Sequence, residues 1–129
     1  MKPELKIRTD LAEYMQLRDW LVEITHGNKF QYGIPDLFCH HLKYGYRWVE
    51  CKQPLKYSFT RSQKRKFPVW EKYGVGIWIL TAATEAEYDK LFGPPNWRDY
   101  WKESWGELPD IDALLESLWE DDATPDQEE

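Results

Sequence analysis

The run from Val75 to Thr81 constrains the fold more than any other stretch of the chain. Its sequence is VGIWILT, and this content of β-branched and aromatic residues predicts a buried strand. Just before it, Thr60 and Gln63 have the spacing of a capping box, which predicts a helix that runs to about Tyr73 and ends at Gly74. A capped helix followed by a fully buried strand is typical of α/β proteins.

Other patterns predict more helices and a hairpin around this pair. Leu37–Leu42 and Tyr46–Lys52 are short strand-like runs separated by residues 43–45, which predicts a hairpin. Apolar residues at helical spacing predict a first helix from about Asp10 to Thr25, and a second capping-box spacing predicts a short helix over residues 84–92. We therefore predict an α/β fold with a central mixed β-sheet flanked by helices.

Three segments are predicted along the chain. Residues 1–95 contain the elements above and form the core. Residues 96–120 form a Trp-rich helical appendage, with a tryptophan at every fourth position from 97 to 105, that packs on the core or forms a homodimer interface. Residues 121–129 are polar and acidic, which predicts a disordered tail.

Charge is distributed unevenly between the two ends of the chain. All 17 Lys and Arg lie in residues 1–102 together with 12 of the 23 acidic residues, so this part has a net charge of +5 although the whole chain has −6. Residues 103–129 hold the other 11 acids and no base. A basic body is compatible with binding to nucleic acid, which requires clustered Lys and Arg.

Cysteine count and hydropathy exclude several classes of protein. Cys39 and Cys51 are too few to form the disulfide framework of a small secreted protein. No apolar run approaches the ~20 residues of a membrane-spanning helix, and no signal-like stretch follows Met1. We expect a protein without membrane contact, in the cytoplasm of a bacterium or a phage-infected host cell.

Asp36, Glu50 and Lys52 are the strongest candidates for chemistry. The hairpin places Asp36 at the head of one strand and Glu50 on its neighbour, and Lys52 projects from the same face as Glu50. Two carboxylates beside a main-chain carbonyl, such as that of Cys51, form an all-oxygen site suited to Mg²⁺ or Mn²⁺. The lysine adds the positive charge that phosphodiester cleavage requires. A solvated charged face or a cross-strand ion pair is the plainer alternative.

The motifs around these residues resemble those of the PD-(D/E)XK nuclease superfamily. Gly33-Ile34-Pro35-Asp36 is followed by Glu50-Cys51-Lys52, then by Thr60-x-x-Gln63 on a helix, Gly74 and an apolar strand. The pattern is most similar to the VRR-NUC branch, which is related to Holliday-junction resolvases, and it covers residues 10–82. The resemblance implies a restriction-endonuclease-like core and a metal-dependent endonuclease that hydrolyses DNA, including branched or nicked DNA in replication, repair or recombination.

The resemblance also implies roles for single residues. The aspartate and glutamate of the hairpin match the metal-binding acids of the family, and the lysine matches its motif lysine. Gln63 matches a recurring helix glutamine, although it alternatively only closes its capping box. Glu13 is the best match to the metal-binding acid of the first helix, with Glu23 as its competitor. His26 and Gln31 are candidates for contact with DNA phosphate or water, with a helix C-cap as the alternative for His26.

A basic stretch after the hairpin predicts a surface that binds the DNA backbone without recognising sequence. Its members are Lys56, Arg61, Lys64, Arg65 and Lys66. The alternative function is a catalytically inactive nucleic-acid-binding or assembly subunit on the same scaffold. Such a subunit would not need convergent carboxylates, which repel phosphate unless a metal lies between them.

Overall fold

The computed structural model describes residues 3–25 and 32–121, with side chains up to residue 116. Within these ranges the helices are Pro3–Gln16 (α1), Arg61–Lys72 (α2), Glu85–Tyr88 (α3) and Ile111–Asp121 (α4). The strands are Leu21–Ile24 (β1), Leu37–His41 (β2), Gly45–Cys51 (β3) and Ile77–Leu80 (β4). Short 3-10 turns at Asp89–Phe92, Trp97–Tyr100 and Glu103–Trp105 connect α3 to α4.

The described strands form one mixed sheet in the order β1-β2-β3-β4. The first three strands pair antiparallel, and β4 lies parallel to β3. Helix α1 packs on one face of the sheet and α2 on the other, and each face has its own buried cluster. The α1 cluster includes Leu11, Met15, Leu37, Cys39, Val49 and Cys51, and the α2 cluster includes Phe59, Phe67, Ile77 and Ile79. The α/β class and the mixed sheet flanked by helices, both predicted from the sequence, are confirmed.

The hairpin and α2 form as their sequences predict. Strands β2 and β3 pair antiparallel, and Gly45 at their turn has a φ of 83°, which glycine adopts without steric cost. The Thr60 hydroxyl accepts a hydrogen bond from the Gln63 N–H, and the Gln63 side chain accepts one from the Thr60 N–H. The capping box is therefore complete, and α2 begins where the sequence predicts.

The predicted helix over Asp10–Thr25 is wrong in its bounds. Helix α1 is Pro3–Gln16, and residues 21–24 form β1 instead. Asp19 has a φ of 72°, so the backbone leaves the helical conformation there, and the buried Trp20 anchors the turn. Residues 21–24 pair with β2, so cross-strand contacts override the helical spacing of their apolar side chains.

Tryptophans of the C-terminal segment pack on the α2 side of the sheet. Trp97 is buried, and its ring centroid lies 6.2 Å from that of Phe67. The rings of Trp101 and Trp105 meet edge to face at 5.4 Å, and Trp105 lies 5.0 Å from Phe59. These residues lie in short 3-10 turns and the loops between them, whereas the sequence spacing predicts a regular helix.

Asn96 closes the outer edge of β4. Its Oδ1 accepts a hydrogen bond from the Ile79 N–H at 2.6 Å, and its Nδ2 donates to the Ile79 carbonyl at 3.0 Å. Further along, Glu87 Oε1 accepts a hydrogen bond from the Thr81 N–H at 2.8 Å. An edge strand otherwise presents unpaired backbone groups, and here one side-chain amide takes the place of a neighbouring strand.

Some of the sequence predictions fall outside the described residues. His26, Gln31 and residues 122–129 of the predicted tail lie there. Asp121, which the sequence assigns to the tail, is the last residue of α4. None of the described helices combines the length and the apolar character that crossing a membrane requires.

The Asn96 contacts predict a measurable contribution to stability. Asn96→Ala leaves the N–H and carbonyl of the buried Ile79 without partners, so the free energy of unfolding should fall by about 1–3 kcal/mol. Urea unfolding measures this change. The control is Asp99→Ala, at an exposed position in the next turn, which should stay within about 0.5 kcal/mol of the parent. Equal stability of Asn96→Ala and the control would contradict the role of the amide.

Candidate active site

Asp36 and Glu50 face each other where the hairpin strands β2 and β3 meet. Leu37 pairs with Val49, so Asp36 lies just before β2 at the level of Glu50. The Asp36 N–H donates a hydrogen bond to Glu50 Oε1 at 3.2 Å. The hairpin register, which the sequence predicts, is thus what brings the two carboxylates together.

Cys51 orients the Asp36 carboxylate from the end of β3. Its N–H donates a hydrogen bond to Asp36 Oδ2 at 2.9 Å. The N–H and C=O of one strand residue point to the same side of the strand, so the Cys51 carbonyl is also directed towards Asp36. The Cys51 side chain is buried in the α1 cluster, and its backbone faces the site.

Lys52 is buried beside the Glu50 carboxylate. Its side chain is 2% exposed, and its Nζ lies 3.3 Å from Glu50 Oε2. Nζ also donates hydrogen bonds to the Ser58 carbonyl at 2.6 Å and to Gln63 Oε1 at 3.0 Å. These contacts satisfy the three donors of the ammonium group, as a buried charge requires.

Gln63 connects the helix cap to the carboxylate. Its Nε2 donates a hydrogen bond to Glu50 Oε2 at 2.8 Å, while its Oε1 accepts from Lys52 Nζ and from the Thr60 N–H, each at 3.0 Å. The sequence leaves open a catalytic role and a merely capping role for this residue. In the structure the side chain closes the capping box and also contacts Glu50 and Lys52.

The turn before Asp36 packs tightly on the start of α2. Gly33 has a φ of 83°, and a Cβ there would lie 2.8 Å from the backbone carbon of Ser62. Only glycine fits this close approach. On the other side, the Thr25 N–H and hydroxyl both donate to the Asp36 carbonyl, at 2.9 and 3.1 Å. Asp36 is therefore held by the residue that follows β1, by β3 and, through the turn at Gly33, by α2.

Burial strongly affects the titration of both carboxyl groups. Burial, followed by the negative charge of Asp36, raises the pKa of Glu50 to about 8, although Lys52 and Gln63 act in the opposite direction. Burial also raises the pKa of Asp36, against the lowering effect of the Cys51 N–H. Two carboxylates in such a place repel each other, and a divalent cation between them would remove that repulsion.

The acid that α1 brings to this site is Glu4, which the sequence analysis missed. Glu4 lines a pocket with Leu5, Arg8 and Asp36, and its Oε2 lies 3.4 Å from the Gln53 N–H. Glu4 was missed because α1 begins seven residues earlier than the predicted helix, so Glu4 lies outside the predicted helix.

Neither of the two acids favoured on sequence grounds joins this pocket. Glu13 follows Glu4 by nine residues, or about two and a half helical turns, which places it on the opposite face of α1. It is exposed there, beside Gln16 and Leu17. Glu23 is exposed in β1 opposite Phe38.

The five predicted DNA-binding cations do not form one open surface. Lys56 and Arg61 are exposed, whereas Lys66 is buried. Lys64 is half-buried, with its Nζ 4.5 Å from the centre of the Trp105 ring, and Arg65 is half-buried as well. Of these five cations, the exposed ones are therefore the lysine in the loop before α2 and the arginine in the first turn of α2.

The donors at this site suit a hard divalent cation. The Asp36 and Glu50 side chains are neighbours, the Cys51 backbone lies against Asp36, and Glu4 lines the pocket next to Asp36. No group of three or more His, Cys, Asp or Glu among the described residues is placed to bind a metal. Mg²⁺ is commonly held by one or two carboxylates and retains several waters. The residues present therefore fit Mg²⁺ or Mn²⁺ with water completing the coordination.

Comparisons with family models, with curated proteins and with solved structures returned no match. A function for this site is therefore inferred from the geometry of its residues and from their sequence motif.

The raised pKa of Glu50 predicts that the metal-free protein loses stability as the pH rises. With a folded pKa of about 8 and an ordinary value of 4.5, the folded state binds more protons than the unfolded state between these values. The free energy of unfolding therefore falls across this window and this contribution is fully lost above it. Urea unfolding in EDTA at several pH values measures the slope.

The Glu50→Gln variant isolates this contribution, because its side chain does not titrate. Its profile should fall less steeply than that of the parent between about pH 5 and 8. Glu85→Gln, at an exposed position, should keep the parent slope. Parallel profiles for the parent and Glu50→Gln would show that the Glu50 pKa is not raised.

Proposed function

We propose that the protein is a Mg²⁺- or Mn²⁺-dependent endonuclease with a PD-(D/E)XK core of the VRR-NUC type. The observation that carries the proposal is the arrangement of Asp36 and Glu50 across one hairpin, with the Lys52 Nζ 3.3 Å from Glu50 Oε2. After this hairpin the chain forms α2 and then β4, which pairs parallel to β3 and extends the sheet. This order of elements supports the same assignment.

Each residue of the site has a role in phosphodiester hydrolysis under this proposal. Asp36, Glu50 and the Cys51 carbonyl would hold the metal, with Glu4 binding it directly or through water. When bound, the ion supplies Lewis-acid polarisation of the phosphate and activation of a water molecule. Lys52 favours the ionised form of Glu50 and, from its buried position, adds positive charge near the metal-binding carboxylates. Gln63 holds the Glu50 carboxylate in one orientation.

DNA is the substrate that we propose, and branched or nicked forms fit the resemblance best. The exposed Lys56 and Arg61 would contact backbone phosphates without recognising base sequence. Symmetric cleavage of a four-way junction would require two copies of the site related by a two-fold axis, as in a homodimer. A panel of single-stranded, duplex, flap and four-way-junction DNA, tested with Mg²⁺ and with Mn²⁺, identifies the substrate.

Loss of any one member of the triad should remove cleavage. Asp36→Asn, Glu50→Gln and Lys52→Ala each delete a charge needed at the metal or the phosphate, so the cleavage rate with Mn²⁺ should fall by at least about 100-fold. Gel-based cleavage assays measure the rates. Circular dichroism accompanies them, because removing one partner of a buried ion pair costs about 3–5 kcal/mol.

Asp89→Asn is the matched control, since it removes one carboxylate from an exposed position and should cleave like the parent. Full activity in a folded Asp36→Asn variant would overturn the proposal. A parent protein that binds DNA, binds no Mn²⁺ and cleaves nothing in the panel would instead be a catalytically inactive binding subunit.

The two acids of α1 provide a separate test of the site. Glu4→Gln should weaken Mn²⁺ binding by about 10-fold or more, since Glu4 lines the pocket with Asp36. Glu13→Gln should leave the affinity unchanged, because its side chain lies on the opposite face of the helix. Calorimetric titration of Mn²⁺ measures both variants. Weaker Mn²⁺ binding by Glu13→Gln than by Glu4→Gln would show that the other face of α1 meets the site.

A further inference from the structure

The buried Lys52 has no N–H group left for a substrate. An ammonium group has three donors, and Nζ already contacts Glu50 Oε2, the Ser58 carbonyl and Gln63 Oε1. The side chain is 2% exposed. In this arrangement Lys52 positions Glu50, and direct contact with a phosphate oxygen would require it to give up an existing partner.

Arg8 brings a second cation to the same site from α1, whereas Lys52 contacts the α2 residue Gln63. It lies one turn after Glu4 on α1, and the two line a pocket of about 130 Å³ together with Leu5 and Asp36. Since one water occupies about 30 Å³ in the liquid, this pocket is large enough for several water molecules or ligand oxygens. Its polar lining combines two carboxylates and one guanidinium.

Among the described residues, the guanidinium of Arg8 is not fully satisfied. Its Nε is buried and has no hydrogen-bond partner among the described residues. A buried donor without a partner is destabilising, so a water, an ion or a substrate group is expected to meet it. Burial raises the pKa of Asp36 and of the Cys51 thiol, and the positive charge of Arg8 acts against both rises, which is consistent with its place beside the carboxylate.

A guanidinium in this position suits a phosphate. Its planar set of N–H donors matches two oxygens of a phosphate group at once, and arginine remains charged at any physiological pH. A phosphodiester entering beside Asp36 would bring an anionic oxygen to the Nε donor that lacks a partner. The cost of leaving Nε unpaired would then be recovered when the substrate binds.

We propose that Arg8 is a catalytic residue that contacts the scissile phosphate and stabilises its negative charge in the transition state, while Lys52 acts as a positioning residue for Glu50. The proposal deepens the nuclease function and rests on it. It gives the two positive charges of the site different tasks. Lys52 holds Glu50 from within its contacts to β3 and α2, and Arg8 faces the substrate.

Arg8→Gln tests the assignment directly. Cleavage of the best DNA of the panel with Mn²⁺ should slow by about 100-fold, because a donor aimed at transition-state charge is lost. The affinity for Mn²⁺ alone, measured by calorimetry without DNA, should not weaken. Lys6→Gln is the matched control, since it removes one positive charge from the exposed side of the same helix and should cleave like the parent.

Chemical rescue distinguishes contact with the phosphate from a structural role. Arg8→Ala should regain part of its cleavage rate when millimolar guanidinium ion is added, whereas Lys52→Ala should not. Arg8→Lys should keep part of the activity, because it retains the charge without the planar donor set. Thermal unfolding of each variant, with and without guanidinium, shows whether any recovery of activity is an effect on folding.

The outcomes separate the two proposals. If the parent cleaves and Arg8→Gln cleaves equally well, or if Arg8→Ala is slow and guanidinium restores nothing, the assignment of Arg8 is wrong and the nuclease function stands. If the parent neither binds Mn²⁺ nor cleaves any DNA of the panel, the nuclease function fails and the role of Arg8 fails with it.

Discussion

An ammonium group inside a protein must find partners for all its donors, because an unpaired charge there costs several kcal/mol. Lys52 finds them in three parts of the chain: Glu50 on β3, the Ser58 carbonyl in the following loop, and Gln63 on α2. These contacts tie the start of α2 to the end of β3. Helix α2 in turn packs on the sheet that β4 extends parallel to β3, so the sheet and the site share the same contacts.

Patterns that act within a few residues were readable in the sequence. The hairpin that brings Asp36 to Glu50, and the capping box that begins α2, each depend on local spacing and appear as predicted. The boundary between α1 and β1 was not readable, because Asp19 turns the chain through a left-handed conformation and pairing with β2 then decides the structure. Glu4 was missed at the other end of the helix, because it precedes the predicted start at Asp10 whereas α1 begins at Pro3.

Gln63 shows why local and functional interpretations of one residue need not compete. Its amide has an oxygen that accepts two hydrogen bonds and a nitrogen that donates. The oxygen serves the cap at Thr60 and the Lys52 ammonium, and the nitrogen holds Glu50. A substitution that kept only the cap would therefore still disturb the carboxylate. Local spacing predicts the cap alone, because the second set of contacts links residues that are 11 and 13 positions apart, and only the family resemblance pointed to a place for Gln63 in the site.

The amide of Asn96 has a consequence for how the protein behaves among copies of itself. Because it occupies both the N–H and the carbonyl of Ile79, the β4 edge offers no free ladder at that position to a strand from another molecule. Exposed sheet edges are a common starting point for edge-to-edge aggregation. A single side chain from outside the sheet thus makes this end of it a poor template for fibril growth, in a chain whose β4 sequence, IWIL, is apolar throughout.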